Sequence, residues 1–485
     1  MARDGGIVVV GAGPAGLAAA AEVTRAGVPV TIVDESRAPG GQFFRDRGPG
    51  RDTPGSGAAR AHAMKARLLA EIDGRDVTWL TGATVWSAIR PDLLALFREG
   101  RVELLRWQRL VVATGAYERS VAFPGWTLPG VMTPGAVQIL VKAHGVTPGP
   151  EVLLAGSGPF LWSVAEELLL AGVRVSGLVE AGRPARWASV LLTVARHPAR
   201  LAEAWRYLRV ARRHRVPVRL GWAVVAAHGT DRLEAVTVSR VDAEWRPVPG
   251  TEQTLPATAL AVGFGFLPST ELTRHLGCAH RFDELRGGWV PGHDDRMETD
   301  LPGVYVAGEV AGIGGAHAAM AEGRLAGLAA ALALGSTVAS PARLAELQRA
   351  RRRAREFGDL MLRIFRFQPG LGVLAQDDTT ICRCEEVTAG QLRARLGQTE
   401  PDLRSLRGVV RAGMGLCQGR TCGRLVAGLV SATLGVPEAD LGMLTVRPPF
   451  RPIPVAAIAG IPADVLEEAA RVADRSADDA ALAGF

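Results

Sequence analysis

Near its start the chain carries four consecutive apolar residues, Ile7 to Val10. Glycines follow at once, then an alanine-rich stretch, roughly Ala15 to Ala26, and a second short run, Val30 to Val33, apolar but for Thr31. Short apolar runs bounded by glycine read as strands, and the longer stretch between them has the length of a helix, so the segment is a βαβ unit. From Val77 to Thr114 the pattern breaks into short β-rich pieces. Val85 to Ile89, Leu93 to Phe97 and Val102 to Trp107 form a small meander that delivers the chain into Leu110 to Ala113. A second strand, turn and helix begins at Val152 to Ala155, runs to about Ala171 and returns as the strand Val173 to Val179.

An Arg-rich helical stretch, roughly Pro184 to His214, is followed by β-rich sequence from Val216 to Val248. A strand at Ala257 to Val262 then leads into Gly263, Gly265 and Pro268. A last strand, Gly303 to Ala307, opens into Gly308 and a small-residue helix from about Ala316 to Gly335. Pro341 to Phe367 reads as a helical linker, with a compact cysteine-bearing region beyond Gln376, a Pro-rich run Arg447 to Pro454 and an Ala-rich acidic tail. The expected fold class is α/β: two Rossmann-like three-layer domains, one inserted in the other, plus a small C-terminal helical domain. The expected boundaries are 1–125 with 255–340, then 126–254, a linker 341–375, and 376–485.

Composition narrows the class. At 485 residues, 48% hydrophobic and 22% charged, the chain has the length of about three globular domains and is not disordered. No apolar stretch reaches the roughly 18 residues a membrane span needs, and Leu325 to Leu334 is short and Ala- and Gly-rich. The first apolar run lacks the basic head and cleavage site of a secretory signal, which points to the cytoplasm. Five cysteines are too few for a disulfide scaffold. Four of them fall in one late cluster, which in a reducing compartment reads as a metal site, while Cys278 stands alone as a structural residue. The formal charge of +7 comes almost wholly from arginine, the only lysines being Lys65 and Lys142. Arg206 to Arg219 and Arg349 to Arg355 read as solvated helix faces or a docking surface for an acidic protein. With only Trp205 and Tyr207 beside them, they do not read as a nucleic-acid surface.

Gly11, Gly13 and Gly16 satisfy GxGxxG, with Pro14 and Ala15 between, directly after a strand and at a helix start. Backbone N–H groups there can receive a pyrophosphate. Asp34, 23 residues after Gly11, ends the next strand where a carboxylate can accept hydrogen bonds from an adenosine ribose, and Glu35 is its immediate competitor. A second turn carries Gly156 and Gly158 but Leu161 at the third glycine position, and Glu180 ends the following strand. That acid favours a free ribose hydroxyl over a 2′-phosphate, Leu161 argues against close NAD binding, and Arg183 keeps a 2′-phosphate open. NAD, ATP or nothing remain as occupants. No CxxC lies between the units, so a disulfide relay is absent. His317 could approach a ligand or be a polar packing residue, and no general base or other catalytic residue is evident.

Downstream motifs carry a resemblance. Pro39-Gly40-Gly41-Gln42, Val112-Ala113-Thr114-Gly115 and Val306-Ala307-Gly308-Glu309, with Gly312 to Gly323, resemble the flavin-contacting segments of the two-dinucleotide-binding flavoproteins that include thioredoxin reductase. The resemblance implies FAD held by Gly41, Gln42, Thr114, Gly115, Gly308 and Glu309. Glu309 stands where most of that family has Asp and would need a longer reach.

Cys382, Cys384, Cys417 and Cys422 form C-x-C-x32-C-x4-C. Two close thiolate pairs can hold zinc or a 2Fe-2S cluster, and spacing alone does not separate them. The sequence around them resembles the 2Fe-2S module of bacterioferritin-associated ferredoxin, in the longer version found in glycerol-3-phosphate dehydrogenases and amine-oxidising flavoprotein complexes. The resemblance implies four cluster ligands, with Gly413, Gly415 and Gly419 letting amides approach the sulfurs. The whole combination resembles the larger subunits of heteromeric dye-linked dehydrogenases, the group of opine oxidases, hydrogen cyanide synthases and proline, hydroxyproline and sarcosine dehydrogenases. It implies an electron-transferring flavin and iron–sulfur subunit that works with a D-amino-acid-oxidase-like flavoprotein partner and a downstream acceptor. FMN between subunits stays open, as does a small additional subunit. Two alternatives remain: a self-sufficient NADH-dependent flavin/2Fe-2S reductase, and a non-enzymatic, zinc-stabilised docking module on a degenerate flavoprotein scaffold.

Overall fold

The computed structural model describes residues 3–45, 56–183, 198–338, 340–398, 402–461, 463 and 466–467. The first part of the Arg-rich stretch, 184–197, and the acidic tail lie outside the described residues. The first sheet has five parallel strands in the order Val304–Val306, Arg109–Val112, Ile7–Val10, Val30–Asp34, Val77–Thr81. Every residue of Ile7–Val10 and Val30–Asp34 is buried. Helices covering a parallel sheet leave neither strand face to water, which is why Ile7–Val10 is an unbroken apolar run and Val30–Asp34 is apolar but for Thr31 and the terminal Asp34. The second sheet is also parallel, in the order Val131–Met132, Leu260–Gly263, Glu151–Gly156, Arg174–Glu180, Val218–Leu220. The first sheet thus draws on residues 7–112 and 304–306, the second on 131–263.

Small residues set the helix packing behind the first sheet. Helix Ala316–Ala333 lies so close to helix Pro14–Arg25 that a Cβ on Gly323 would come 2.0 Å from the Ala15 carbonyl oxygen, and one on Gly327 2.3 Å from that of Ala19. The Ala- and Gly-rich run is therefore a close-packing face, and among the described residues no helix is long and apolar enough to cross a membrane.

Two helices differ from their sequence reading. Gly57–Ile72, capped by Ser56 accepting from Ala59 N at 3.1 Å, is missing from the pattern because its buried stripe Ala61, Lys65, Leu68, Ile72 contains a lysine. Pro341–Ile364, expected as a linker, packs on the first domain: Leu347 joins that core, and Arg343 pairs with Glu22. Within its basic stretch Arg355 is 6% exposed, so the expected solvated face contributes a buried cation. The region beyond Gln376 shares a core with the second unit, where Ile381, Cys382 and Leu429 meet Trp126 and Val131, and Trp126 Nε1 donates to the Thr380 carbonyl at 2.7 Å.

Beside buried Cys278, whose thiol is pushed up to about 11 by burial, lies His280. Burial pushes His280 down to about 4 from its ordinary 6.5, although Nδ1 contacts the Cys278 carbonyl at 2.7 Å. A base with a depressed folded pKa favours folding above its unfolded pKa, and that contribution is lost as pH falls toward the folded value. Acidification from pH 6.5 to 4 should therefore remove up to about 3 kcal/mol through this residue. His280→Gln should flatten that part of the profile in urea melts at stepped pH, and an unchanged slope would reject the assignment.

Candidate functional site

The first glycine turn is built by close backbone contacts. A Cβ on Gly16 would sit 1.7 Å from the Gly11 carbonyl oxygen, and one on Gly11, which has φ +108°, 2.3 Å from the Ala113 carbonyl oxygen. Gly13 caps helix Pro14–Arg25, whose Pro14 occupies the first turn, where a missing N–H costs nothing. Above Gly13 there is room: its Cβ would meet only the Gly41 Cα, at 3.9 Å. Asp34, 8% exposed, accepts from Ala12 N at 2.6 Å and Ser36 N at 2.7 Å. Burial raises its pKa, partly countered by these amides. Glu35 and Gln42 are exposed. Asp34, not Glu35, is therefore the acid fastened to the turn, held there by two amides and by the Ser36 side chain.

Distant motifs converge on this turn. A Cβ on Gly308 would lie 2.8 Å from Ala15 Cβ, while Gly308 N donates to Glu322 Oε2 at 3.0 Å. Glu309 folds onto the start of helix Ala316–Ala333, its Oε1 accepting from Gly314 N at 3.2 Å and Gly315 N at 2.6 Å; burial raises its pKa. Sequence reasoning missed the pair beneath. Arg355 donates from Nε to fully buried Glu322 at 2.5 Å and from Nη1 to the carbonyls of Gly312 and Ile313 at 2.8 and 2.9 Å. Breaking such a buried pair costs about 3–5 kcal/mol, so this pair fixes the glycine loop. Thr114 Oγ1 donates to the Ser269 carbonyl at 2.7 Å, and Gly115 has φ +75°. His317 is exposed at the start of helix Ala316–Ala333.

The second turn is built like the first but differs in detail: Gly158 has φ +122° where Gly13 has −76°, and Leu161 stands at the third glycine position. Glu180, 4% exposed, accepts from Gly158 N at 3.0 Å and Gly182 N at 2.8 Å, as Asp34 does from Ala12 and Ser36. Burial raises its pKa. Gly156 is required, since its Cβ would strike the Gly263 carbonyl oxygen at 1.7 Å. Leu161 is 1% exposed and packs with Val137, Val152 and Val164, so an apolar contact replaces the close helix-to-strand approach. Arg183 donates to the Val241 carbonyl at 2.5 Å.

The four late cysteines are brought together. Cys382 ends the strand Thr380–Cys382, Cys422 caps helix Gly423–Leu434, and both are buried; Cys417 is half-buried and Cys384 exposed. Cys382 and Cys422, Cys422 and Cys417, and Cys417 and Cys384 are near enough to influence one another's protonation. Bonding from Cys422 holds Cys382 down to about 6 and Cys417 down to about 4, while Cys422, which keeps its proton, is pushed up. Burial raises Cys384. Gly413 and Gly419 adopt φ +84° and +83°, and a Cβ on Gly415 would lie 2.3 Å from Cys384 Cβ, so the loop closes on the thiols only with glycine there. Among the described residues no three Cys, His, Asp or Glu side chains are set to hold a single metal ion.

Two parallel Rossmann-like sheets, with a glycine turn backed by Asp34, define a nucleotide-binding oxidoreductase. The chain belongs to the pyridine nucleotide-disulphide oxidoreductase family, which it matches over residues 5–323, and is a flavoprotein. Beyond the family, it is 37% identical over 468 residues to hydrogen cyanide synthase subunit HcnB of Pseudomonas aeruginosa, covering 93% of this chain and 97% of that protein. It is 36% identical over 484 residues to an opine oxidase subunit of Agrobacterium tumefaciens, covering 94% and 92%. In fold it is similar to L-proline dehydrogenase from P. horikoshii, with TM-score 0.68 and 19% identity over 94% of this chain and 80% of that one.

Proposed function

We propose that this chain is the flavin and iron–sulfur subunit of a heteromeric amino-acid, imino-acid or opine dehydrogenase, relaying electrons from a substrate oxidised in a partner subunit. The observation that carries the reading is the length of the similarity. Two proteins named as subunits match 93% and 94% of the chain, well past residue 323 and through the cysteine region. FAD is the proposed flavin. Its pyrophosphate would lie in the space over Gly13, its ribose against Asp34, and its ring side toward Thr114, Gly115 and the Gly308–Gly315 loop. The donor set fits a 2Fe-2S cluster on Cys382, Cys384, Cys417 and Cys422: four soft sulfur ligands from two pairs close in sequence, of which Cys382 and Cys417 are already biased toward the anion. A flavin accepts a two-electron hydride equivalent and such a cluster passes single electrons, so the two together join amine oxidation to a one-electron acceptor. NAD or ATP is the proposed occupant of the turn at Gly156 and Gly158, with FMN between subunits. A D-amino-acid-oxidase-like chain is the proposed partner, and a small further subunit completes the complex.

The chain's own residues support a relay. Asp34 and Glu309 are each engaged by backbone amides, which ties both to positioning the turn and the glycine loop and not to acting as a base. The isolated chain should therefore not reduce an artificial dye with proline, sarcosine or opines, whereas the complex purified gently from the native host should. Rapid turnover by the chain alone would overturn the relay. Dye reduction driven by NADH alone would favour the self-sufficient reductase.

A further inference from the structure

Arg420, within the loop between Cys417 and Cys422, turns inward rather than to solvent. Its Nε lies 3.1 Å from Glu271 Oε1, the two side chains being 11% and 8% exposed. Its Nη1 donates to the Cys417 carbonyl at 3.1 Å and its Nη2 to the Phe450 carbonyl. The other Glu271 oxygen accepts from Ser269 Oγ at 2.9 Å. Ser269 N donates to the Gly115 carbonyl at 2.9 Å, and its own carbonyl receives the Thr114 hydroxyl at 2.7 Å. An unbroken series of polar contacts thus runs from the flavin-side residues Thr114 and Gly115 to the main chain of Cys417.

Docking of the two regions has a separate device. Arg424 bridges Glu284 at 2.7 Å and Glu438 at 2.9 Å, and Arg119 reaches Glu284 at 3.1 Å. The Arg420–Glu271 pair is therefore not needed merely to hold the cysteine region in place. Its distinguishing feature is one cation against the Cys417 main chain and one anion behind it, both buried, where charges are weakly screened.

We propose that Arg420 is the positioning and charge-setting residue of the four-cysteine site, and that Glu271 moderates the positive charge the site feels. This rests on reading the cysteines as ligands of an iron–sulfur centre. A buried cation beside such a centre favours its more negative, reduced form and raises its potential, and a carboxylate behind the cation opposes that.

The test is a dithionite titration of the reconstituted full-length chain, following the one-electron-reduced signal by electron paramagnetic resonance together with iron content. Arg420→Gln should lower the midpoint potential and Glu271→Gln should raise it, while Arg420→Lys should move it less than Arg420→Gln does. Opposite signs are the signature, because general loosening of the loop would move both variants the same way. Should Arg420→Gln fail to retain iron, the Glu271→Gln and Arg420→Lys arms decide: an upward shift in the first and a small one in the second support the proposal. Unchanged potentials, or shifts of one sign, with iron present overturn it and leave the reading of the cysteines standing. A parent chain that takes up no iron overturns both.

Discussion

Gly13→Ala is expected to fold as the parent does and to lose most of its flavin. Gly13 has φ −76° and ψ −171°, which alanine adopts without strain, and its new methyl would touch only the Gly41 Cα at 3.9 Å, an ordinary contact. The protein therefore has no reason to lose stability. The methyl would nevertheless stand over the first helical N–H groups, where a pyrophosphate must approach the backbone. A clash of about 3 kcal/mol lowers affinity roughly 100-fold. Gly16→Ala is the contrast: its Cβ would lie 1.7 Å from the Gly11 carbonyl oxygen, so helix and strand must part, and flavin and thermal stability should fall together. Melting of the cofactor-free proteins and fluorescence titration with FAD separate the cases. A Gly13→Ala protein that keeps full flavin would place the ligand elsewhere.

The parts of this molecule that could be read from sequence are those in which one physical demand acts on adjacent residues. Ile7 to Val10 is unbroken because both faces of the strand are covered, and Gly11 and Gly16 are glycines because two carbonyls crowd them. Asp34 and Glu180 were identifiable from their place at strand ends, but only the structure shows each fastened to its own glycine turn, leaving Glu35 exposed. What was hidden depends on partners far apart in the chain. Nothing in the arginine-rich run from Arg349 distinguishes Arg355, because its burial is decided by Glu322 on another helix. Ser269 and Glu271 carry no motif, and their meaning comes from Thr114 on one side and Arg420 on the other. Lys65, buried in the stripe of helix Gly57–Ile72, conceals that helix by breaking its apolar periodicity.

Cys417→Ser should abolish the broad visible absorbance and the bound iron while leaving flavin in place. Cys417 is the position chosen because it neighbours both buried Cys422 and exposed Cys384, and its thiol is the one held lowest. A serine hydroxyl is a harder and far more basic ligand than a thiol already held down to about 4, and it cannot supply a comparable anion at neutral pH. The contacts of Asp34, Gly308 and Glu309 around the first glycine turn, the proposed flavin site, involve no cysteine, so flavin content is the internal control. Cys278→Ser is the second control: that thiol lies 3.7 Å from Thr299 Oγ1, is pushed up to about 11 by burial, and should keep the parent's iron. Iron analysis and visible spectra of the three proteins check the set. Full iron in Cys417→Ser would reject the four-cysteine ligand set, and zinc in place of iron in the parent would keep the ligands while removing the one-electron chemistry assigned to them.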